Sequence, residues 1–443
     1  MQTTSIDRVS PIASAQRVWG WAAALLGLAF LVLPALAEGP KANSADATPR
    51  WWRGNMHTHT FWSDGDDFPE TVGKWYKDHG YQFLVYTDHN VLLKGERWKR
   101  MPEKRQALEK YRDLFGGRSL QTRLDEARQM QMRLVPLSDF RAEFEEPQRF
   151  LLIMGSEITD KHGVHLLAFD LDKRVSPVGG SAAERGKMVR ENVRRISEYR
   201  DHKGSQRFAV LCHPNYKWAI TAEMMAPIAD LRFFEVYNSS PGVRNDGDAH
   251  RASTDRIWDI VLALRLGAMK GKLLYGLATD DAHNYHGGGA GPGRGWVMVR
   301  SPRLEPEMIL DAMDRGDFYA TTGVILRDIR RQGNTIRVEI EPQDGVKYLT
   351  EYVGTRRGFD PSSKPTLDAS GKEISNTTRT YSRQIGEVFA RSEDISSSYR
   401  FSGDELYVRV RITSTADHVD GVTGKPLGSK QRAWGQPMIL RPR

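Results

Sequence analysis

Phe83-Leu84-Val85-Tyr86-Thr87-Asp88-His89 is an apolar run that ends in a carboxylate and an imidazole. A run this short, unbroken by polar residues, fits a strand buried on both faces. Polar side chains at the end of such a strand are how a parallel α/β barrel builds an active site. The pattern recurs in both directions. Residues 151–154 precede Glu157 and His165, residues 208–211 precede His213-Pro214, and residues 273–277 precede Asp280-Asp281-Ala282-His283. Upstream stand His57-Thr58-His59 and Asp64. The chain has 12 histidines in 443 residues, and half of them fall in these clusters.

His57 and His59 are two apart on a strand, so both project to one face, about 6–7 Å apart along the chain. Asp281 and His283 repeat that spacing. Imidazole and carboxylate ligands without thiolate suit zinc, manganese or iron better than copper(I) or a structural zinc cage. The candidates are His57, His59, Asp64, His89, Glu157, His165, His213, Asp281 and His283, more than one ion can use. A carboxylate such as Glu157 can bridge two ions ~3.5–4 Å apart, an arrangement that activates water. We therefore expect two or three divalent ions and hydrolysis by a metal-bound hydroxide.

The motifs His57-Thr58-His59-Thr60, Ser63-Asp64-Gly65, Thr87-Asp88-His89, His213-Pro214 and Asp281-Ala282-His283 resemble the PHP (polymerase and histidinol phosphatase) family over roughly residues 51–325. The resemblance implies a distorted (β/α)7 barrel with up to three metals at the C-terminal strand ends. By position, a first ion would take His57, His59, Glu157 and Asp281. A second would share Glu157 and add His165 and His213, and a third would take Asp64, His89 and His283. Aspartate at 64 looks like the branch of small phosphodiesterases and nucleotide-acting enzymes. An insertion at about 95–148 and a β-rich C-terminal domain look instead like an exported branch that includes carbamate-ester hydrolases. The implied activity is a phosphomonoesterase or phosphodiesterase. The alternatives are a carboxyl or carbamate ester hydrolase, and a non-catalytic barrel carrying a carbohydrate-binding β domain.

Residues 1–37 read as a signal peptide: Arg8 and Arg17 precede the apolar stretch 19–33, and Pro34-Ala35-Leu36-Ala37 offers a small-x-small cleavage site. Cleavage would leave no membrane anchor and place the protein in the periplasm or outside the cell. Residues 38–50 read as a linker. The formal charge of +8 lies mostly in stretches that look helical and solvated, which argues against nucleic acid and leaves a small anionic ester as the expected partner. Cys212, the only cysteine, excludes an internal disulfide and reads as a buried strand residue.

Residues 101–115 and 120–134 carry apolar side chains at helical spacing and predict two amphipathic helices within the insertion. Residues 184–199 and 254–269 also read as helices, with Ser253 as a cap and Gly204 and Gly271 as stops. From 326 to 443, Thr335–Ile340 and residues 348–353 and 405–412 alternate in the manner of strands, which predicts a small sandwich-like domain. Arg294, in the glycine-rich loop 287–295, and Asn215 and Asn238 are candidate substrate contacts, the asparagines equally readable as loop formers. Asp280 and His286 are candidate proton shuttles or supports for ligands. His79, His202, His250 and His418 read as surface residues.

Overall fold

Phe83–Tyr86 is a fully buried strand, as its uninterrupted apolar side chains require. It lies within a mixed sheet of 13 strands in an α/β protein. The computed structural model describes residues 48–440 apart from 103–104, 117–119 and 202–206. The signal-peptide stretch 1–37, most of the linker 38–50, His202 and Gly204 lie outside the described residues. No described helix is long and apolar enough to cross a membrane.

Seven strands position the candidate ligands. They neighbour one another in chain order: Arg50–Asn55, Phe83–Tyr86, Leu151–Thr159, His165–Phe169, Val210–Leu211, Phe233–Asn238 and Tyr275–Thr279. Pairing is parallel throughout except at His165–Phe169, which runs antiparallel to both neighbours. A turn rather than a helix leads into that strand, and a hairpin connection enforces antiparallel pairing. The turn is held by Asp160, whose Oδ1 accepts from the backbone nitrogens of His162 and Val164, each at 2.9 Å. The ends of the run meet in a parallel bridge between Thr58 and Ala282, where the His59 nitrogen donates to the Ala282 carbonyl at 2.9 Å.

Helices cover the strands with their apolar sides. Pro69–Asp78 starts on a proline, which lacks the N–H that a first turn leaves unpaired, and buries Val72 and Tyr76. Arg185–Glu198 buries Met188, Val189, Val193 and Ile196. Thr254–Ala263 is capped by Ser253, whose hydroxyl accepts from the Arg256 nitrogen at 3.1 Å. At the far end of its continuation the left-handed residue is Lys270, not the Gly271 that follows.

The insertion differs from the sequence expectation. Gln106–Phe115 is a helix, closed by Gly116 at φ 56°. Residues 120–134 are not helical. Thr122–Leu124 and Met130–Leu134 form a hairpin, joined by Arg97–Arg100 in a three-stranded sheet. The physical reason lies in the turn and the period. Asp125 accepts from the Gln129 nitrogen at 2.8 Å, and Arg128 takes φ 58°. Beyond the turn Met132 and Leu134 alternate inward, a period of two that a few apolar residues also fit to a helix.

The C-terminal strands are part of the same sheet. Pro426–Gly435 pairs with Phe318–Thr321, and Glu405–Val419, Tyr348–Arg356 and Glu387–Ser392 follow outward. Leu326–Gln332, Thr335–Ile340 and Ser396–Arg400 form a separate three-stranded sheet. Ala47–Arg443 forms one compact unit. Gln436 locks the junction: its amide oxygen accepts from the Gly276 nitrogen at 2.9 Å, and its nitrogen donates to the Gly276 carbonyl at 2.8 Å. Truncation after Arg327 strips the neighbour from Phe318–Thr321 and leaves an open apolar edge. The expected product is insoluble in a fractionation assay; a soluble, monodisperse truncated protein would contradict this account.

Candidate metal centre

His57 and His59 leave the end of Arg50–Asn55 with both side chains fully buried. His57 Nε2 lies 3.5 Å from Glu157 Oε2 and 3.1 Å from Asp281 Oδ1. His59 Nε2 lies 3.4 Å and 3.2 Å from the same two oxygens. Ligand bonds of ~2.0–2.2 Å in a tetrahedral site place ligand atoms about 3.3–3.6 Å apart. Of these four atoms, His57 Nε2 and His59 Nε2 are buried without any hydrogen-bond partner, and Glu157 Oε2 meets only the His89 ring at short range. Buried polar atoms are rarely left unpaired, so the residues fit a divalent ion at this point.

Glu157 stands between two groups of imidazoles. Its Oε1 faces His165 Nδ1 at 2.9 Å and His213 Nε2 at 3.4 Å, and its Oε2 also meets His89 Nδ1 at 2.7 Å. Asp64, more than half exposed, faces His89 Nε2 at 3.5 Å and His283 Nε2 at 3.4 Å. His59 joins this cluster too: its ring stacks on His283 with centroids 4.0 Å apart. The structure thus brings all nine sequence candidates together. It places His59 beside two of the groups that the resemblance keeps separate. The backbone is strained here, with His213 at φ 23° and Asp281 at φ 48°, conformations that cost a non-glycine residue about 1–3 kcal/mol.

Glu235 is the residue that the sequence reading missed. It is fully buried, and its Oε1 accepts from Thr279 Oγ1 at 2.6 Å and meets His57 Nδ1 at 2.7 Å. Its Oε2 accepts from the His213 nitrogen and from Asn238 Nδ2, each at 2.7 Å. A carboxylate on one imidazole nitrogen leaves the other free to face an ion and raises its basicity. The signal was present as a lone glutamate in the apolar strand Phe233–Asn238, where a buried charge must be paired. Cys212 is buried beside His57, Glu157 and His213, and burial pushes its thiol well above the usual range.

The charges follow from packing. Burial opposes ionisation of Glu157 and Asp281, yet the imidazoles hold both carboxyls well below their usual range, His89 and His165 acting most on Glu157 and His57 on Asp281. Burial and the neighbouring His283 pull His59 down to about 3. His89 moves the other way: against burial, Glu157 and Asp64 raise it to about 11. Against burial, Asp64 and Asp281 raise His283 to about 9. At neutral pH without metal these two rings hold protons, as does His57, which against burial Asp281, Glu235 and Glu157 hold well above its usual range. A protonated ring cannot ligate. Metal affinity should therefore rise with pH, and loading at pH 7 should release protons, up to one from each ring. Calorimetric zinc titrations in buffers of different ionisation enthalpy measure this, and heats independent of buffer would contradict the assignment.

Other sequence candidates take different places. Arg294 is buried, its guanidinium bound to the Asp420 carboxylate and donating to the Gly289 carbonyl at 2.7 Å. It anchors a loop rather than facing a substrate, because a buried guanidinium needs its charge paired internally. Asp280 is likewise held by internal hydrogen bonds. It accepts from Asn55 and Tyr76 and from the backbone nitrogens of Gly293, Arg294 and Gly295, and so fastens the glycine-rich loop. Burial pushes its carboxyl up, with those bonds opposing. His286 meets the Asp66 carbonyl at 3.3 Å and Asp67 at 3.6 Å. Asn215 donates to the Arg244 and Ala252 carbonyls at 2.9 and 3.0 Å, the loop-forming role. Asn238 donates to Glu235 and, at 3.2 Å, to Asp281 Oδ2, and so orients a candidate ligand. His418 is buried, not superficial, with Nε2 2.6 Å from the Arg294 carbonyl.

No family model and no curated protein matches this chain. Among solved structures, it is similar to a two-domain protein containing a predicted PHP-like metal-dependent phosphoesterase from Bacteroides vulgatus. The identity is 13%, over 88% of this chain and 94% of that one, with a TM-score of 0.35.

Proposed function

We propose that this protein is an exported, metal-dependent hydrolase of the PHP type, acting on a phosphomonoester or phosphodiester. The observation that carries the reading is the set of four inward atoms, His57 Nε2, His59 Nε2, Glu157 Oε2 and Asp281 Oδ1, whose imidazole–carboxylate distances are 3.1–3.5 Å and whose two imidazole nitrogens have no hydrogen-bond partner. We take the seven strands linked by the Thr58–Ala282 bridge as a distorted (β/α)7 barrel. We take the ligands as His57, His59, Asp64, His89, Glu157, His165, His213, Asp281 and His283, holding two or three ions of zinc, manganese or iron. Bound divalent ions supply Lewis acidity and lower the pKa of water toward ~7.

The surrounding residues prepare that chemistry. Glu235 fixes the tautomer of His57, and Asn238 holds Asp281 Oδ2 so that Oδ1 faces inward. Thr159 Oγ1, 2.7 Å from His89 Nδ1, orients the third ring. One observation favours a second reading, a carboxyl or carbamate ester substrate: the guanidinium of Arg294 is spent on Asp420 and offers nothing to a phosphate. Metal-loaded protein should be assayed with phosphomonoester, phosphodiester and carboxyl-ester chromogens. Turnover of phosphoesters alone supports the first reading, turnover of carboxyl esters alone the second, and no turnover with any metal sinks both.

A further inference from the structure

We propose that Lys99 is the substrate-positioning cation of this site, its ammonium receiving an anionic oxygen of the phosphoester. The inference rests on the phosphoesterase reading above and supplies the positive group that Arg294 does not. Lys99 comes from the insertion strand Arg97–Arg100. Its Nζ donates to the Ser63 carbonyl at 2.5 Å, one residue before Asp64. Ser63 is itself fixed, its hydroxyl donating to Asp88 Oδ1 at 2.6 Å. Arg97, two residues away, lies over the buried Trp62 ring at 5.9 Å, so the strand is seated on the segment that carries Asp64. Burial and the neighbouring Arg97 lower the Lys99 ammonium, with Asp64 and Asp88 opposing, and among the described residues neither carboxylate forms an ion pair with it.

An ammonium has three donors, and the Ser63 carbonyl occupies one. Half-burying a lysine costs solvation and side-chain freedom, and its unused donors favour an anionic partner. Here the remaining donors have no carboxylate partner among the described residues, beside the most exposed of the candidate ligands. Lysine binds phosphate as a compact point charge and suits an oxygen that the ions neutralise only in part.

The test uses the metal-loaded full chain and inorganic phosphate as the probe, followed by calorimetry. In Lys99→Gln the Kd for phosphate should rise about tenfold or more, as loss of a charged hydrogen bond implies. Lys99→Arg should recover part of it, and metal content and melting temperature should stay at the wild-type values. A Kd within twofold of wild type in Lys99→Gln, or no phosphate binding by the wild type, overturns the proposal. So does a fall in metal content or melting temperature in both Lys99→Gln and Lys99→Met, which would make the Ser63 contact structural. A wild type that binds phosphate through Lys99 but cleaves no phosphoester would sink the proposed reaction and leave this assignment standing.

Discussion

Glu157→Gln should lose at least one bound ion per chain and at least ~100-fold in turnover. Removing a partner that merely orients a ligand already costs about 10–100-fold, and Glu157 is closer to the ions than that. Its two oxygens face imidazoles on both sides, His165 and His213 at Oε1 and His57, His59 and His89 at Oε2. A neutral amide offers one oxygen and presents N–H donors where cations belong, so two positions weaken together. Elemental analysis and steady-state kinetics measure the two effects. Wild-type metal content with wild-type turnover in Glu157→Gln would show that Glu157 holds no ion.

Arg409→Ala should destabilise the protein by about 3–5 kcal/mol, the cost of removing one partner from a buried ion pair. Arg409 is fully buried on Glu405–Val419 and lies over the Trp258 ring at 4.7 Å. Its Nε and Nη2 donate to Asp259 at 2.8 and 2.7 Å, and Nη2 is also 2.7 Å from Asp255. Both carboxylates belong to the helix Thr254–Ala263, so this pair ties the C-terminal strands to the part of the molecule that carries the candidate ligands. Arg409→Ala leaves Asp259, itself buried, with Tyr407 as its one remaining side-chain donor among the described residues. The denaturant midpoint reads the loss; a shift worth under about 1 kcal/mol would mean that the pair adds little to this junction.

The candidate ligands stood out in the sequence because metal chemistry restricts residue type. Few histidines occur, and their grouping behind apolar runs has no competing explanation in helix or strand patterning. The insertion was not legible in the same way. Residues 130–134 satisfy both periods, and only the Asp125 turn and the partner strand Arg97–Arg100 decide between them. Arg294 shows the opposite limit. Its place in a glycine-rich loop after the last ligand cluster fits a substrate contact, and its partner Asp420 lies far along the chain. Glu235 could have been found, since a charge within Phe233–Asn238 needs an explanation, but its partners His57 and Thr279 come from other strands.

The sequence by itself determined the set of candidate ligands, their order behind apolar strands and the alternating C-terminal strands, because these depend on residue type and short-range period. Tertiary structure alone decided three things: which oxygen of Glu157 faces which ring, the spending of Arg294 on Asp420, and the delivery of Lys99 to Ser63. Each depends on contacts between residues distant in sequence, and local pattern carries no term for the pairing of charges that only folding brings together.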